Sequence, residues 1–284
     1  FDDVFPKINA DMRLLIADNH STDGMTQIVE TEMKRRNKLY IVQQVGKGLG
    51  NAYVSGFKYA VDKLEADAVM EMDADGQHPP EFVKPMVEAY LNGADYVIGS
   101  RYIPGGSIPK EWAFFRKFVS YFGNLYIRLV LLKPSIHDLT TGFRLTKVKG
   151  VLDKIDLDNL MEKERFAHKV DLLYQSIKNA KKTVEVPLEF RSRTTDKSKF
   201  NTKETISTLK VATILGIKDK AKFIKFGTVG FAGYLVNAST LWLFTKWAWP
   251  GVFAWGVSTE LAIINNFIFN NLWTFKSEKI SGFI

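Results

Sequence analysis

Short apolar runs alternate with longer amphipathic segments through the first two-thirds of the chain. Apolar runs of strand length fall at residues 12–19, 39–44, 67–75 and 95–101. Helical spacing of apolar positions occupies the segments between them, at residues 22–36, 46–64 and 79–93. This alternation predicts an α/β fold over residues 1–200, with a mostly parallel sheet covered by helices on both faces.

A different pattern follows at residues 109–133. On a helix, the aromatic and aliphatic side chains of this segment share one face, whereas Arg116, Ser120, Asn124 and Arg128 share the other. A helix that faces the core is the commoner explanation of such a stripe. Its aromatic content and cationic opposite face equally favour a helix lying in a membrane interface.

The last part of the chain is apolar over two long stretches. Residues 226–245 contain no charged side chain, and residues 252–272 contain only Glu260. About 20 apolar residues match the ~30 Å hydrocarbon core of a bilayer. We therefore expect a transmembrane hairpin within residues 226–284 that turns at residues 246–251, although two buried helices are the alternative.

Polar residues of the second stretch suggest that this hairpin has helical neighbours. Glu260 and four asparagines are too polar to face lipid, so they should face other helices. We expect further transmembrane helices or a homo-oligomer formed through the hairpin.

Basic residues gather directly before the hairpin. Residues 191–225 contain ten Lys or Arg and three acidic residues, and residues 201–225 read as a basic amphipathic juxtamembrane segment. Because positive loops stay on the cytoplasmic side, we expect a multi-pass membrane protein whose α/β domain is cytoplasmic.

The composition is that of a folded protein, with 46% hydrophobic and 25% charged residues. The formal net charge of +8 predicts an anionic partner. Since the basic residues lie beside the predicted spans, membrane lipid explains the charge better than nucleic acid does.

The absence of cysteine excludes disulfides and thiolate metal sites. The first residues look like the end of a helix, so we expect a strand before them.

Charged residues follow the strands, where ligands bind in open α/β sheets. Asp73 and Asp75 share one side of an extended backbone and repel each other. With the amide oxygen of Gln77 they form a set of hard oxygen ligands that suits Mg²⁺ or Mn²⁺. The alternative is a polar turn that caps the helix beginning at Pro79.

Residues 45–57 form a glycine-rich turn that contains Lys47 and leads into a helix. Such a turn suits phosphate oxygens, although it lacks the Ser or Thr of a Walker loop. An ordinary strand–helix connection is the alternative.

Five segments together resemble the family 2 glycosyltransferases of the GT-A fold. They are ADNHSTDG (17–24), GKGLGNAYVSGF (46–57), MDADGQHPPE (72–81), GSRY (99–102) and DLTTGFRL (138–145). Within that family the motifs are most similar to those of dolichol-phosphate mannose synthases. The hairpin resembles half of the GtrA-like membrane domain that some of these synthases carry.

The resemblance implies a metal-dependent, inverting transfer of mannose from GDP-mannose to dolichyl or another polyprenyl phosphate, with Mn²⁺ or Mg²⁺ as cofactor. It implies donor contacts by Asp18, Lys47 and Asp73, and metal ligation by Asp73, Asp75 and Gln77. It assigns catalytic roles to Asp75, Arg101 and Arg144. Acceptor phosphate would be bound by Arg101, Arg144, Arg193, Ser198 and Lys199.

The sequence departs from the family pattern at two positions. A second aspartate is usual where this chain has Asn19. Glycine is usual where it has Asp196, in the loop at residues 189–200 that would close over the acceptor. Other interpretations stay open. The same motifs serve a UDP-glucose-dependent polyprenyl-phosphate glucosyltransferase, and a non-catalytic translocation or scaffold protein is an alternative of another class. Asp138 is either a general base or the cap of a turn. His78 and His137 are interpreted as structural.

Overall fold

The computed structural model describes residues 4–193 and 202–276. The chain forms two compact units, Phe1–Leu215 and Gly216–Ile284. The first unit extends beyond residue 200, the boundary expected from the sequence, because the first part of the basic segment is a helix whose buried residues Val211, Ala212 and Leu215 join a core cluster of this unit.

The first unit is an α/β domain. Its strands are β1 (Leu14–Asp18), β2 (Leu39–Gln43), β3 (Ala68–Glu71), β4 (Tyr96–Ser100), β5 (Arg144–Lys147) and β6 (Thr183–Pro187). Its helices are α1 (Met25–Met33), α2 (Leu49–Asp62), α3 (Val83–Leu91), α4 (Phe114–Val130), α5 (His168–Asn179) and α6 (Thr202–Asp219). Short 3₁₀ turns lie at Phe5–Lys7, Pro80–Phe82, Leu152–Lys154 and Leu157–Asn159.

The strands form two sheets in the described part of the chain. Strands β1 and β2 form a parallel pair, and the other four are ordered β3-β5-β4-β6. Strand β5 runs antiparallel to β3 and β4, whereas β4 and β6 are parallel. The α/β class is confirmed, and the antiparallel strand β5 is an addition to the expected parallel pattern. Its reversal places the start of β5 beside the carboxyl ends of β3 and β4.

Both faces of the four-stranded sheet are covered. Helices α4, α5 and α6 contribute to one core, which includes Tyr96, Ile98 and Leu173. Helix α3 contributes Met86 and Val87 to a second core on the other side. Burial of these apolar side chains supplies the main driving force for folding and fixes the strand ends on which the site is built.

Helix α4 has its aromatic face outward. The side chains of Phe114 and Phe115 are 84% and 60% exposed, and the exposed face also includes Phe118, Tyr121, Phe122, Tyr126 and Leu129. The polar side of the helix faces the domain, where Asn124 Oδ1 accepts a hydrogen bond from Leu139 N at 2.8 Å. The interpretation of α4 as a core-facing helix is therefore wrong, and the membrane-interface interpretation fits the exposed face.

The second unit is a helical hairpin. Helix α7 (Ala221–Lys246) is followed by α8 (Gly251–Phe269), which continues as a π-helical turn at Asn270–Thr274. The two helices pack closely where Gly233 faces the Asn266 amide, and Asn237 Nδ2 donates to Thr259 Oγ1 at 3.3 Å. Among the described residues one helix, Gly251–Thr274, is long and apolar enough to cross a membrane. The span expected at 226–245 lies within α7 and stays a prediction.

Candidate active site

A buried histidine shapes the turn that follows β3. The His78 side chain is 1% exposed, and its Nδ1 accepts a hydrogen bond from Asp73 N at 3.0 Å. The same turn is closed by Gln77 N, which donates to Asp75 Oδ1 at 3.1 Å. Burial lowers the pKa of His78 to about 4, so the ring is neutral at physiological pH. These contacts support the structural role that the sequence assigned to His78.

Asp73 is held by Lys169, which no motif or pattern in the sequence distinguishes. Lys169 Nζ lies 3.2 Å from Asp73 Oδ1, and the Tyr53 hydroxyl donates to the same oxygen at 2.9 Å. Burial alone would raise the pKa of Asp73, but the Lys169 ammonium and these hydrogen bonds lower it to about 2. The repulsion between the two aspartates is thus relieved partly from inside the protein.

Asp75 and Gln77 point their oxygens at one cationic atom. Arg193 Nε lies 2.7 Å from Asp75 Oδ2 and 3.1 Å from Gln77 Oε1. The two predicted metal ligands therefore converge on a single positive centre, and their hard oxygens fit a divalent cation in its place. No group of three His, Cys, Asp or Glu in the described ranges could hold an ion by itself, so Gln77 and ligand oxygens would have to complete such a site.

Arg101 and Asp138 form a buried, bidentate ion pair. Arg101 Nε lies 2.6 Å from Asp138 Oδ2, and Nη2 lies 2.8 Å from Oδ1. Burial alone would raise the pKa of Asp138, but Arg101 keeps it below the ordinary value. The carboxylate also accepts hydrogen bonds from the backbone N–H groups of Thr140 and Thr141. Asp138 therefore caps the following turn and fixes Arg101, and its pairing argues against a role as general base.

A second arginine, Arg116 of α4, lies close to this pair. Its guanidinium stacks over the Trp112 ring at 3.6 Å. Burial, together with the positive charges of Arg193 and Arg101, lowers the pKa of Arg116. The three guanidinium groups thus influence one another electrostatically, and such a cluster is suited to phosphate. In the sequence, Arg116 signalled only the cationic face of an amphipathic helix.

Asp18 has its hydrogen-bonding capacity used within the protein. Its carboxylate accepts bonds from Ser21 N and Oγ, from Thr26 Oγ1 and from Gln43 Nε2. Burial would raise its pKa, but these donors lower it to about 2. A carboxylate has about four lone-pair sites, and here they tie β1 to α1 and β2. The expected contact between Asp18 and the donor nucleotide stays a prediction.

The glycine-rich turn is explained by packing. The backbone of Gly48 runs against Glu164, and a Cβ on Gly50 would lie 2.6 Å from Lys163 O. Gly50 N also donates to Lys163 O at 2.8 Å. Lys47 is exposed on this turn, and in the described part of the chain it makes no ion pair with the Asp73 group. Its donor contact stays a prediction.

Arg144 is fully buried rather than open to an acceptor. It faces Glu71 in the register of β3 and β5, and its Nη1 donates to Lys169 O at 2.6 Å. The predicted contact of Arg144 with an acceptor phosphate stays a prediction, and it would require this guanidinium to become accessible. Ser198 and Lys199 lie outside the described residues, and their predicted contacts stay predictions.

Comparison with known proteins agrees with this geometry. The family model for glycosyl transferase family 2 matches residues 3–153. The chain belongs to this family. It is therefore a glycosyltransferase. A second model, the GtrA/DPMS transmembrane domain, matches residues 225–283 and supports membrane association of this family 2 enzyme.

Three relatives of this glycosyltransferase carry informative names. A dolichol-phosphate mannosyltransferase of Pyrococcus furiosus is 33% identical over 267 residues, which are 93% of this chain and 72% of the relative. A polyprenol monophosphomannose synthase of Mycolicibacterium smegmatis is 35% identical over 192 residues, 67% of this chain and 71% of its own. An undecaprenyl-phosphate mannosyltransferase of Micrococcus luteus is 35% identical over 189 residues, with 66% and 75% covered. The resemblance stated from the motifs is confirmed.

Proposed function

We propose that this enzyme transfers mannose from GDP-mannose to dolichyl or another polyprenyl phosphate. The observation that carries the proposal is that the three relatives, which match 66% to 93% of the chain, are named as mannosyltransferases or mannose synthases acting on polyprenyl phosphates. The choice of GDP over another nucleoside diphosphate rests on the motif resemblance.

The donor diphosphate would lie beside the turn after β3. Asp73, Asp75 and Gln77 would hold Mn²⁺ or Mg²⁺ there, and the convergence of Asp75 and Gln77 on Arg193 Nε supports this assignment. When bound, such an ion neutralises the negative charge that develops on the leaving nucleoside diphosphate. Arg193 would have to leave Asp75 for the ion to bind, which would free its guanidinium for phosphate.

The acceptor phosphate would be the nucleophile. The second pKa of a phosphomonoester is near ~6, so the group is largely ionised at neutral pH and needs no general base. Arg116 and Arg193 are suited to hold it against the repulsion of the donor, and Arg101 would have to turn part of its guanidinium from Asp138 to join them. The Asp138 carboxylate would keep Arg101 in place. One in-line displacement of this kind inverts the configuration at the sugar carbon.

The membrane features suit an acceptor with a lipid tail. The outward aromatic face of α4 would lie in the interface, and α8 and α7 would anchor the chain. The basic segment before α7 supports a cytoplasmic position of the α/β unit by the positive-inside tendency. The multi-pass topology and its orientation are part of the proposal.

The test is transfer of radiolabel from GDP-mannose and, separately, from UDP-glucose to a short polyprenyl phosphate in detergent with Mn²⁺. We expect lipid-extractable mannose from GDP-mannose, and its loss in Asp75→Asn. Label from UDP-glucose alone would overturn the donor assignment and keep the chemistry. Failure of both donors, with a folded chain, would favour the non-catalytic translocation or scaffold alternative.

A further inference from the structure

We propose that Lys169 is a positioning residue that serves as a permanent counter-cation of Asp73 and thereby weakens binding of a divalent ion when no nucleotide is present. The inference deepens the proposed function and rests on its metal site. In this role the buried Lys169 side chain sets the net negative charge that the incoming ion meets at Asp73 and Asp75.

Lys169 is enclosed by the protein. Its side chain is 0% exposed, and its ammonium lies 3.2 Å from Asp73 Oδ1 and 5.0 Å from the centre of the Tyr53 ring. The Phe166 ring lies 4.9 Å from the same ammonium. The Asp73 carboxylate compensates the cost of burying this ammonium, so Lys169 stays charged and stays beside Asp73.

The space for this ammonium depends on Gly142. A Cβ at residue 142 would overlap Lys169 Nζ and would lie 3.3 Å from Asp73 Oδ2. The backbone of Gly142 is not in the left-handed region, so this glycine is explained by the room it leaves and not by its φ angle. The Lys169–Asp73 ion pair therefore depends on a glycine at position 142.

A buried arginine holds the backbone of Lys169. Arg144 Nη1 donates to Lys169 O at 2.6 Å, and Arg144 faces Glu71 in the register of β3 and β5. Glu71 is 3% exposed, and neither of its carboxylate oxygens has a hydrogen-bond partner within the described ranges. The Arg144 bond thus helps to fix the backbone from which Lys169 reaches Asp73.

One consequence distinguishes this inference from simple structural support. With Lys169 in place, its positive charge offsets one of the two carboxylates, so Asp73 and Asp75 together present about one net negative charge to an ion. Charges this close to a bound ion change its affinity strongly. Removing or displacing the ammonium should strengthen Mn²⁺ binding by the free enzyme. General damage to the site would weaken it.

The experiment measures Mn²⁺ binding by the full-length chain in detergent, without nucleotide, by isothermal titration calorimetry. Lys169→Met removes the charge with little change in shape, and we expect the Kd for Mn²⁺ to fall roughly tenfold. Gly142→Ala keeps every charge, displaces the Lys169 ammonium and crowds Asp73 Oδ2 only slightly, so it should shift the Kd in the same direction by a smaller factor. It also covers the case in which Lys169→Met fails to fold.

Gly56→Ala is the matched control, because this helical glycine has only an ordinary contact with Ala17 Cβ at 3.4 Å. Its Kd should equal that of the parent chain. Tighter Mn²⁺ binding in Lys169→Met or Gly142→Ala supports the inference, including the case in which the parent binds no Mn²⁺. Equal, weaker or absent Mn²⁺ binding in both variants overturns it. Lipid-linked mannose formed by the parent chain tests the proposed function separately.

Discussion

The Arg101 guanidinium is locked on the Asp138 carboxylate, with Nε 2.6 Å from Oδ2 and Nη2 2.8 Å from Oδ1. Arg101 also donates to Thr140 Oγ1 at 2.7 Å. The pair joins the end of β4 to the loop before β5, and it fixes the direction of the Arg101 guanidinium. Preorganisation of this kind lowers the cost of binding a charged acceptor.

Replacing Asp138 by Asn should destabilise the protein and leave the pH profile of transfer unchanged. A buried arginine without its counter-charge costs about 3–5 kcal/mol, which thermal unfolding in detergent would report. Because Asp138 is not expected to accept a proton during transfer, the residual activity should depend on pH as in the parent chain. Loss of the acidic limb of the profile would instead identify Asp138 as a general base.

A double variant separates stability from activity at this pair. Arg101→Met combined with Asp138→Asn removes both charges and keeps a side-chain oxygen for the backbone N–H groups of the turn, so it should recover part of the lost stability. Transfer to polyprenyl phosphate should nevertheless stay low, since the fixed cation is gone. A double variant with normal transfer would show that Arg101 does not serve the reaction.

Glu71 and Arg144, which face each other on β3 and β5, provide a second stability test. Arg144→Met removes the hydrogen bond to Lys169 O and a positive charge near the buried Glu71 carboxyl, for an expected loss of about 1–3 kcal/mol. Adding Glu71→Leu should restore part of that loss. In the double variant the KM for polyprenyl phosphate should stay within about twofold of the parent value, because Arg144 is not exposed to the acceptor. A large rise of this KM alone would return Arg144 to the acceptor site.

The sequence predicted the elements of the α/β unit and the family well. Each of the four apolar runs contains one of the observed strands β1 to β4, and each predicted helix between them contains a helix. The antiparallel strand β5 was not foreseen as a strand because it has only four residues and no alternation of its own. Its pairing with β3 is a long-range contact that periodicity cannot express.

The site was predicted only in part, for a physical reason. Acidic residues at strand ends are visible in the sequence, but the residues that compensate them come from distant segments, as Lys169 does for Asp73. Burial is also invisible in the sequence, since Asp18 and Arg144 have the residue types of ligand-binding groups and are enclosed by the protein. Residue chemistry therefore indicates a class of site, whereas the contacts decide which members face a ligand.

Stability of the α/β unit should fall as the pH drops from about 6.5 to 4. Burial lowers the pKa of both His78 and His168 to about 4, so the folded state keeps them neutral while the unfolded chain binds protons from about pH 6.5 downward. Lowering a pKa from 6.5 to about 4 is worth ~3 kcal/mol for each histidine. Thermal unfolding across this range should show the loss, and His168→Gln should reduce its slope.

Further loss should come below about pH 4. Hydrogen bonds and Lys169 lower the pKa values of Asp18 and Asp73 to about 2, so the stability they contribute is present above their ordinary value of 3.8 and disappears as the pH falls toward 2. A melting temperature that is constant from pH 7 to pH 4 would contradict the assignment of buried, neutral histidines.

The outward aromatic face of α4 should govern access to the lipid acceptor. Phe115 and Phe118 are 60% and 47% exposed, whereas Tyr96 and Phe143 in the core of the same unit are fully buried. Replacing both by Asn removes apolar area that would enter the interface, at ~25 cal/mol for each Å². In lipid nanodiscs the KM for polyprenyl phosphate should rise several-fold, whereas the KM for the donor should not change. Ile28→Asn is the matched control, because Ile28 is 65% exposed on α1, away from this face. An equal effect of the control, or a change confined to the donor, would show that the α4 face does not position the enzyme for its acceptor.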